Sequence, residues 1–188
     1  MASISKAIEV ITKLAERGAI RSYAIIGAVA ALNYIEPTLT EDLDILVSVA
    51  DFENHRSGLI LLTPIEKALR EMGYSQRAEV GFFIEGWPVQ FLPVASPLDE
   101  EALEHAIEVE VDAARNPPLK ARCLRAEHLV AIAVKVGRLK DLARVQAFFE
   151  QGAVILSALQ GILVRHDLMN AWLTFCVKAG IENPLQGI

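Results

Sequence analysis

Residues 25–47 read IIGAVAALNYIEPTLTEDLDILV. An apolar run meets a glycine, a second run of small residues follows, and two aspartates, Asp42 and Asp44, then interrupt the pattern of a buried strand with one leucine between them. Side chains alternate across a strand, so Asp42 and Asp44 share one face while Leu43, Ile45 and Val47 point into the core. Two strand rises hold the pair about 7 Å apart at the Cα level. On a buried face their repulsion is costly unless a cation lies between them. Mg²⁺ (or Mn²⁺) suits that position, because Mg²⁺ takes hard oxygens and is commonly held by one or two carboxylates plus substrate phosphates. The competing reading of the same residues is a solvated strand end.

Working upstream, SYAII reads as a short buried strand, Gly27 breaks it, and AVAALNYI reads as a short apolar helix ahead of Pro37. Backbone N–H groups at the start of that helix would face whatever sits above the sheet, an arrangement suited to phosphate. Downstream, TPIEKALREMGY has Thr63 as a helix N-cap, Pro64 at the first helical position and Gly73 at the end. VGFFIEGWPVQFLPV predicts a hairpin turning near Gly86 and Trp87, with Pro88 favouring an edge position. The N-terminal residues Ile4 to Arg17 carry an apolar stripe at helical spacing. LDEEALEHA is an acidic helix, IEVEV and LKARCLR are two further strands, and the remainder is helical. The fold class expected is α+β, a mixed sheet of four to six strands with flanking helices, divided as a core over 1–115 and a mainly helical part over 116–188.

The chain has 188 residues, 53% of them apolar, enough for one compact domain or a domain with a helical extension. Its N-terminus mixes charge with apolar residues, so neither a signal peptide nor a membrane span is read there, and a cytoplasmic protein is expected. Cys123 and Cys176 are far apart and suggest reduced core thiols. His55, His105, His128 and His166 are dispersed and lack zinc-ligand spacing. The net charge of −6 is uneven: residues 115–144 hold eight basic against two acidic side chains, a local +6 that leaves −12 elsewhere. Such a basic stretch fits a polyphosphate or RNA as well as it fits a solvated helix face.

The stretch quoted above resembles the signature of the nucleotidyltransferase superfold: a glycine and a small residue, a short helix, then Asp-apolar-Asp on a strand. RAEHLVAIAVKVGRLKDLARVQAFF is similar to the C-terminal motif of minimal nucleotidyltransferases of the AbiEii toxin type, and the resemblance spans about residues 20 to 150. It implies that Gly27 and Ala28 bracket a nucleoside triphosphate and that Asp42 and Asp44 ligate the metal. It also implies that Lys135, Arg138 and Lys140 face the phosphates while Asp141 orients one of those cations. Catalytic roles thus fall to Asp42, Asp44, Lys135, Lys140 and Asp141. The implied activity moves a nucleoside monophosphate to an RNA (a tRNA, for example), a protein or a small molecule, as the toxin of a toxin–antitoxin pair with an antitoxin partner.

Two departures stand out. Gln90 aligns with the third carboxylate of the family, and a neutral amide lacks the charge a second Mg²⁺ needs; Glu85 across the hairpin is the substitute if the register permits. Arg144 stands where the downstream motif often has an acid. The neutral Gln90 supports an alternative, a nucleotidyltransferase-fold binding or regulatory protein without turnover.

Overall fold

A computed structural model of the protein describes residues 3–37, 40–48, 62–112 and 114–187. His55, one of the dispersed histidines, lies outside those residues. Within them the chain forms α1 (Ile4–Glu16), β1 (Ser22–Ile26), α2 (Gly27–Ala31), β2 (Leu43–Ser48), α3 (Thr63–Glu71), β3 (Phe82–Ile84) and β4 (Trp87–Pro93). It continues as α4 (Pro97–Glu104), β5 (Ile107–Asp112), β6 (Leu119–Cys123), α5 (Ala126–Val136), α6 (Leu139–Glu150), α7 (Leu156–Arg165) and α8 (Met169–Ala179).

The six strands make one mixed sheet in the order β3-β4-β2-β1-β6-β5. β1 runs antiparallel to β2 and parallel to β6, and β2 runs parallel to β4. Alternation assigns the two faces. Ile25 shares an apolar hollow with Ile4 and Ile8 of α1, whereas its neighbour Ile26 lines a cleft with residues of α5 and α6. Leu43, Ile45 and Val47 are fully buried, and Asp44 between them is only partly so.

Local chemistry accounts for the elements. Ser3 caps α1 by accepting from the Lys6 amide, and Ser96 caps α4 through the Asp99 amide while donating to the Asp99 carboxylate. Glu85 and Gly86 both have positive φ, 51° and 83°, the pair of values a two-residue hairpin turn needs between β3 and β4.

Four expectations change in detail. α2 covers five residues and gives way to turns before Ile35, so it is shorter than AVAALNYI suggested. Leu62, not Thr63, holds the cap position of α3, without a side-chain cap bond, and Thr63 begins the helix. Pro88 sits in β4, an interior strand, but the β2 ladder starts only at Val89, so the proline interrupts no pairing there. Position 115/116 falls between the two strands of the β5–β6 hairpin; β6 pairs with β1 in the sheet, and the run of helices begins at Ala126.

The helices close over the cleft face. Trp172 of α8 is fully buried against Phe149 and Phe175 and donates Nε1–H to Asn183 at 2.8 Å. Glu101 of α4 accepts from Arg165 and pairs with His128 and His166, tying α4 to α5 and α7, and the Arg165 guanidinium holds its carboxyl down at about 2. Both cysteines are free and buried. Among the described residues no helix is long and apolar enough to cross a membrane. Truncating Trp172→Ala removes a large buried ring and leaves Asn183 Oδ1 with the Leu185 amide as its one remaining donor; urea unfolding is expected to show a loss of about 3–5 kcal/mol.

Candidate functional site

Asp44 is placed by register. It pairs with Ile26 of β1 on one side and with Gln90 of β4 on the other, so three side chains project from the same sheet face in a row across the strands. Asp42 lies just ahead of β2 and is exposed, its carbonyl accepting from the Thr40 hydroxyl at 3.1 Å. The carboxylate pair therefore straddles the strand's first residue instead of lying wholly within it.

Gly27 turns the chain from β1 into α2 at a φ of +69°, and a Cβ built there would stand 2.7 Å from Oδ2 of Asp44. Only glycine serves both demands, the left-handed backbone and the close approach of a carboxylate. The short α2 has little aligned dipole, so what this junction supplies is close access to the backbone more than a helix terminus.

The facing wall comes from α5 and α6. Gly137 ends α5 with a φ of +71°, and Arg138 occupies the N-cap of α6. Asp141 is 4% exposed and both its oxygens are engaged: Nε of Arg138 donates to Oδ2 at 2.6 Å and Nη1 of Arg144 to Oδ1 at 3.3 Å. The result is a cleft of about 270 Å³ lined by Gly27, Ala28, Asp42, Asp44, Gln90, Arg138, Lys140, Asp141 and Arg144. The rest of the lining from these two helices is apolar, with Leu129, Ile132, Ala133 and Val136 of α5 and Val145 and Phe148 of α6.

Eight of the ten residues singled out in the sequence thus meet in one place. Lys135 does not: it donates to Oγ of Ser96 at 2.8 Å and is absent from the lining. Glu85 is also elsewhere, in the hairpin turn, accepting from the Tyr74 hydroxyl at 2.5 Å beside α1. The hairpin register puts Gln90, not Glu85, beside Asp44. Arg144, read in the sequence only as a departure, belongs to the cleft. Its spacing of three from Asp141 along a helix carried that signal.

Burial first, and the Asp42 charge second, push the Asp44 carboxyl up from 3.8 to about 6; Lys140, Arg138 and Arg144 pull the other way. A carboxylate held uncomfortably beside another is a place where a cation gains. Among the described residues no group of three or more His, Cys, Asp or Glu is arranged to hold a metal alone. A cation here would need oxygens from its ligand.

No protein-family model matches this chain, and no curated protein matches it. Solved structures do. An antigenic nucleotidyltransferase-like protein from Paracoccidioides brasiliensis superposes with a TM-score of 0.50 at 14% identity over 90% of this chain and 93% of its own. The antibiotic-resistance factor ANT(2'')-Ia does so with a TM-score of 0.49 at 13% identity over 90% and 94%. The chain has a nucleotidyltransferase-like α+β fold.

The Asp44 shift has a stability consequence whose sign is fixed. Its folded value lies above the unfolded one, so the folded state binds more protons between about pH 4 and pH 6 and stability falls as pH rises through that window. Asp44→Asn removes the penalty. In urea titrations the asparagine variant is expected to match the wild type at the acid end and exceed it by about 2 kcal/mol at neutral pH.

Proposed function

We propose that this chain binds a nucleoside triphosphate together with Mg²⁺ and transfers the nucleoside monophosphate to an acceptor hydroxyl. The observation that carries the reading is the convergence in one cleft of a carboxylate pair, a glycine whose backbone packs against it, and three cations on the facing helix. The donor set fits the metal: two hard carboxylates are what Mg²⁺ takes from a protein when phosphates complete its shell. Asp42 and Asp44 would hold the ion, and a bound Mg²⁺ supplies Lewis-acid polarisation of phosphoryl oxygens.

The chain's own residues do the rest. Lys140 offers a compact charge to the phosphates, and Arg138 and Arg144 offer planar donors whose geometry Asp141 fixes. The Gly27–Ala28 backbone approaches the same face of Asp44. The apolar wall keeps water from the reacting phosphorus and strengthens each charge interaction in the cleft. In the transfer the acceptor oxygen forms its bond to the α-phosphorus as the bond to pyrophosphate breaks in line, and the acceptor proton passes to solvent. The cations neutralise the departing pyrophosphate, and no covalent protein nucleophile is required.

One observation favours a second reading, a nucleotide-binding regulatory protein without turnover: the neutral Gln90 directly beside Asp44. A single assay separates the two. The purified protein is incubated with each labelled nucleoside triphosphate, Mg²⁺ and total RNA, total protein or small-molecule acceptors, and label transfer is scored. Transfer that chelator stops and that Asp42→Asn with Asp44→Asn lowers by roughly 100-fold or more, the scale of losing a preorganised electrostatic group, is the expected result. Nucleotide retained without transfer would select the regulatory reading. The labelled acceptor identifies its class, and a toxin role requires that expression of the wild type, but not of the double variant, arrests growth.

A further inference from the structure

The two sides of Asp44 are chemically unlike those of a carboxylate cage. Paired residues of neighbouring strands project from one face about 4.8 Å apart, and Asp44 has an amide, Gln90, on one side and an alkyl chain, Ile26, on the other. Asp42 supplies a second carboxylate two residues back. The third acid of the cleft is occupied: Asp141 is buried with Arg138 on Oδ2 and Arg144 on Oδ1. Taking an oxygen of Asp141 for a metal would leave the largely buried Arg144 guanidinium short of its counter-charge, a costly exchange. A small hard cation prefers six oxygens in near-octahedral order. Two carboxylates with phosphate and water oxygens satisfy one such ion, and among the described residues no third free carboxylate remains for another.

The cleft does hold fixed positive charge. The Arg144 side chain is 18% exposed, against 60% for Arg138, and one of its five N–H donors is placed on Asp141. The rest of its fork belongs to a group that never loses its proton and that matches a phosphate with two parallel hydrogen bonds. Its position is set by a buried partner before any ligand arrives.

Resting on the function proposed above, we infer that the cleft takes one divalent cation, at Asp42 and Asp44, and that the Arg144 guanidinium, oriented by Asp141, supplies to the polyphosphate the second positive centre that a second metal ion would otherwise provide. Gln90 is then a determinant of metal number, and its neutrality is what leaves the task to Arg144.

Equilibrium dialysis of the whole chain against Mn²⁺ and a non-hydrolysable nucleoside triphosphate analogue, with metal and nucleotide measured on both sides of the membrane, tests this without reference to activity. The wild type is expected to retain one Mn²⁺ and one nucleotide per chain. Gln90→Asp should retain two Mn²⁺. Arg144→Ala should weaken analogue binding by about 10-fold or more, the equivalent of one charge-assisted hydrogen bond, and added Mn²⁺ should not restore it. Arg144→Lys, which keeps the charge and the Asp141 partner, should recover part of the loss and shows that the effect is not one of folding. Two Mn²⁺ on the wild type, or unchanged analogue affinity in Arg144→Ala, would overturn the inference while leaving the nucleotide site in place. Retention of neither metal nor nucleotide would remove the site and the inference together.

Discussion

The close approach of the Asp44 carboxylate to the Gly27 backbone is the constraint on which the cleft depends. It follows from strand pairing: β2 is locked between β1 and β4 over five residues on each side, and the buried Leu43, Ile45 and Val47 fix which face Asp44 takes. A slip of one residue would exchange Asp44 for Leu43 at the cleft and bury a carboxylate in the core, which is why the register has no close competitor. The glycine then removes the one steric obstacle, the Cβ that would stand against Oδ2.

Charge on the opposite wall is organised by a single buried acid. Asp141 sits near the start of α6, where a negative charge is favoured, and draws Arg138 and Arg144 to the same side of the helix. Removing the acid would leave two guanidinium groups close together with nothing between them. A second charge cluster, the partly buried Glu101 with Arg165, His166 and the buried His128, plays the mechanical counterpart: it joins α4, α5 and α7 and so steadies the helix that carries the apolar half of the cleft.

Much of this was legible in the sequence because local rules carry it. The strand, glycine and aspartate spacing gave the β1–α2 junction and the Asp44 face, and Gly137 marked the break between α5 and α6. What failed to show was phase and register, which are set by partners far away in the chain. Whether Glu85 or Gln90 reaches the cleft depended on a two-residue turn at Glu85 and Gly86 and on the parallel pairing of β4 with β2. Lys135 sits in the last turn of α5 and is taken by Ser96, whereas Arg144 falls on the cleft side of α6 through its step of three from Asp141. Basic composition between residues 115 and 144 did not separate those two. The alanine-rich run favours helix through its local propensity, whereas the helix covers only Gly27–Ala31.

Crystals grown with Mn²⁺ and a non-hydrolysable nucleoside triphosphate analogue, with anomalous difference density collected for the metal, test whether this cleft is a metal–nucleotide site. A Mn²⁺ peak coordinated by Asp42 and Asp44 is expected, with the analogue's phosphates between that peak and Lys140 and Arg144. Density for metal and nucleotide elsewhere on the chain, with Asp42 and Asp44 uncoordinated, would contradict it.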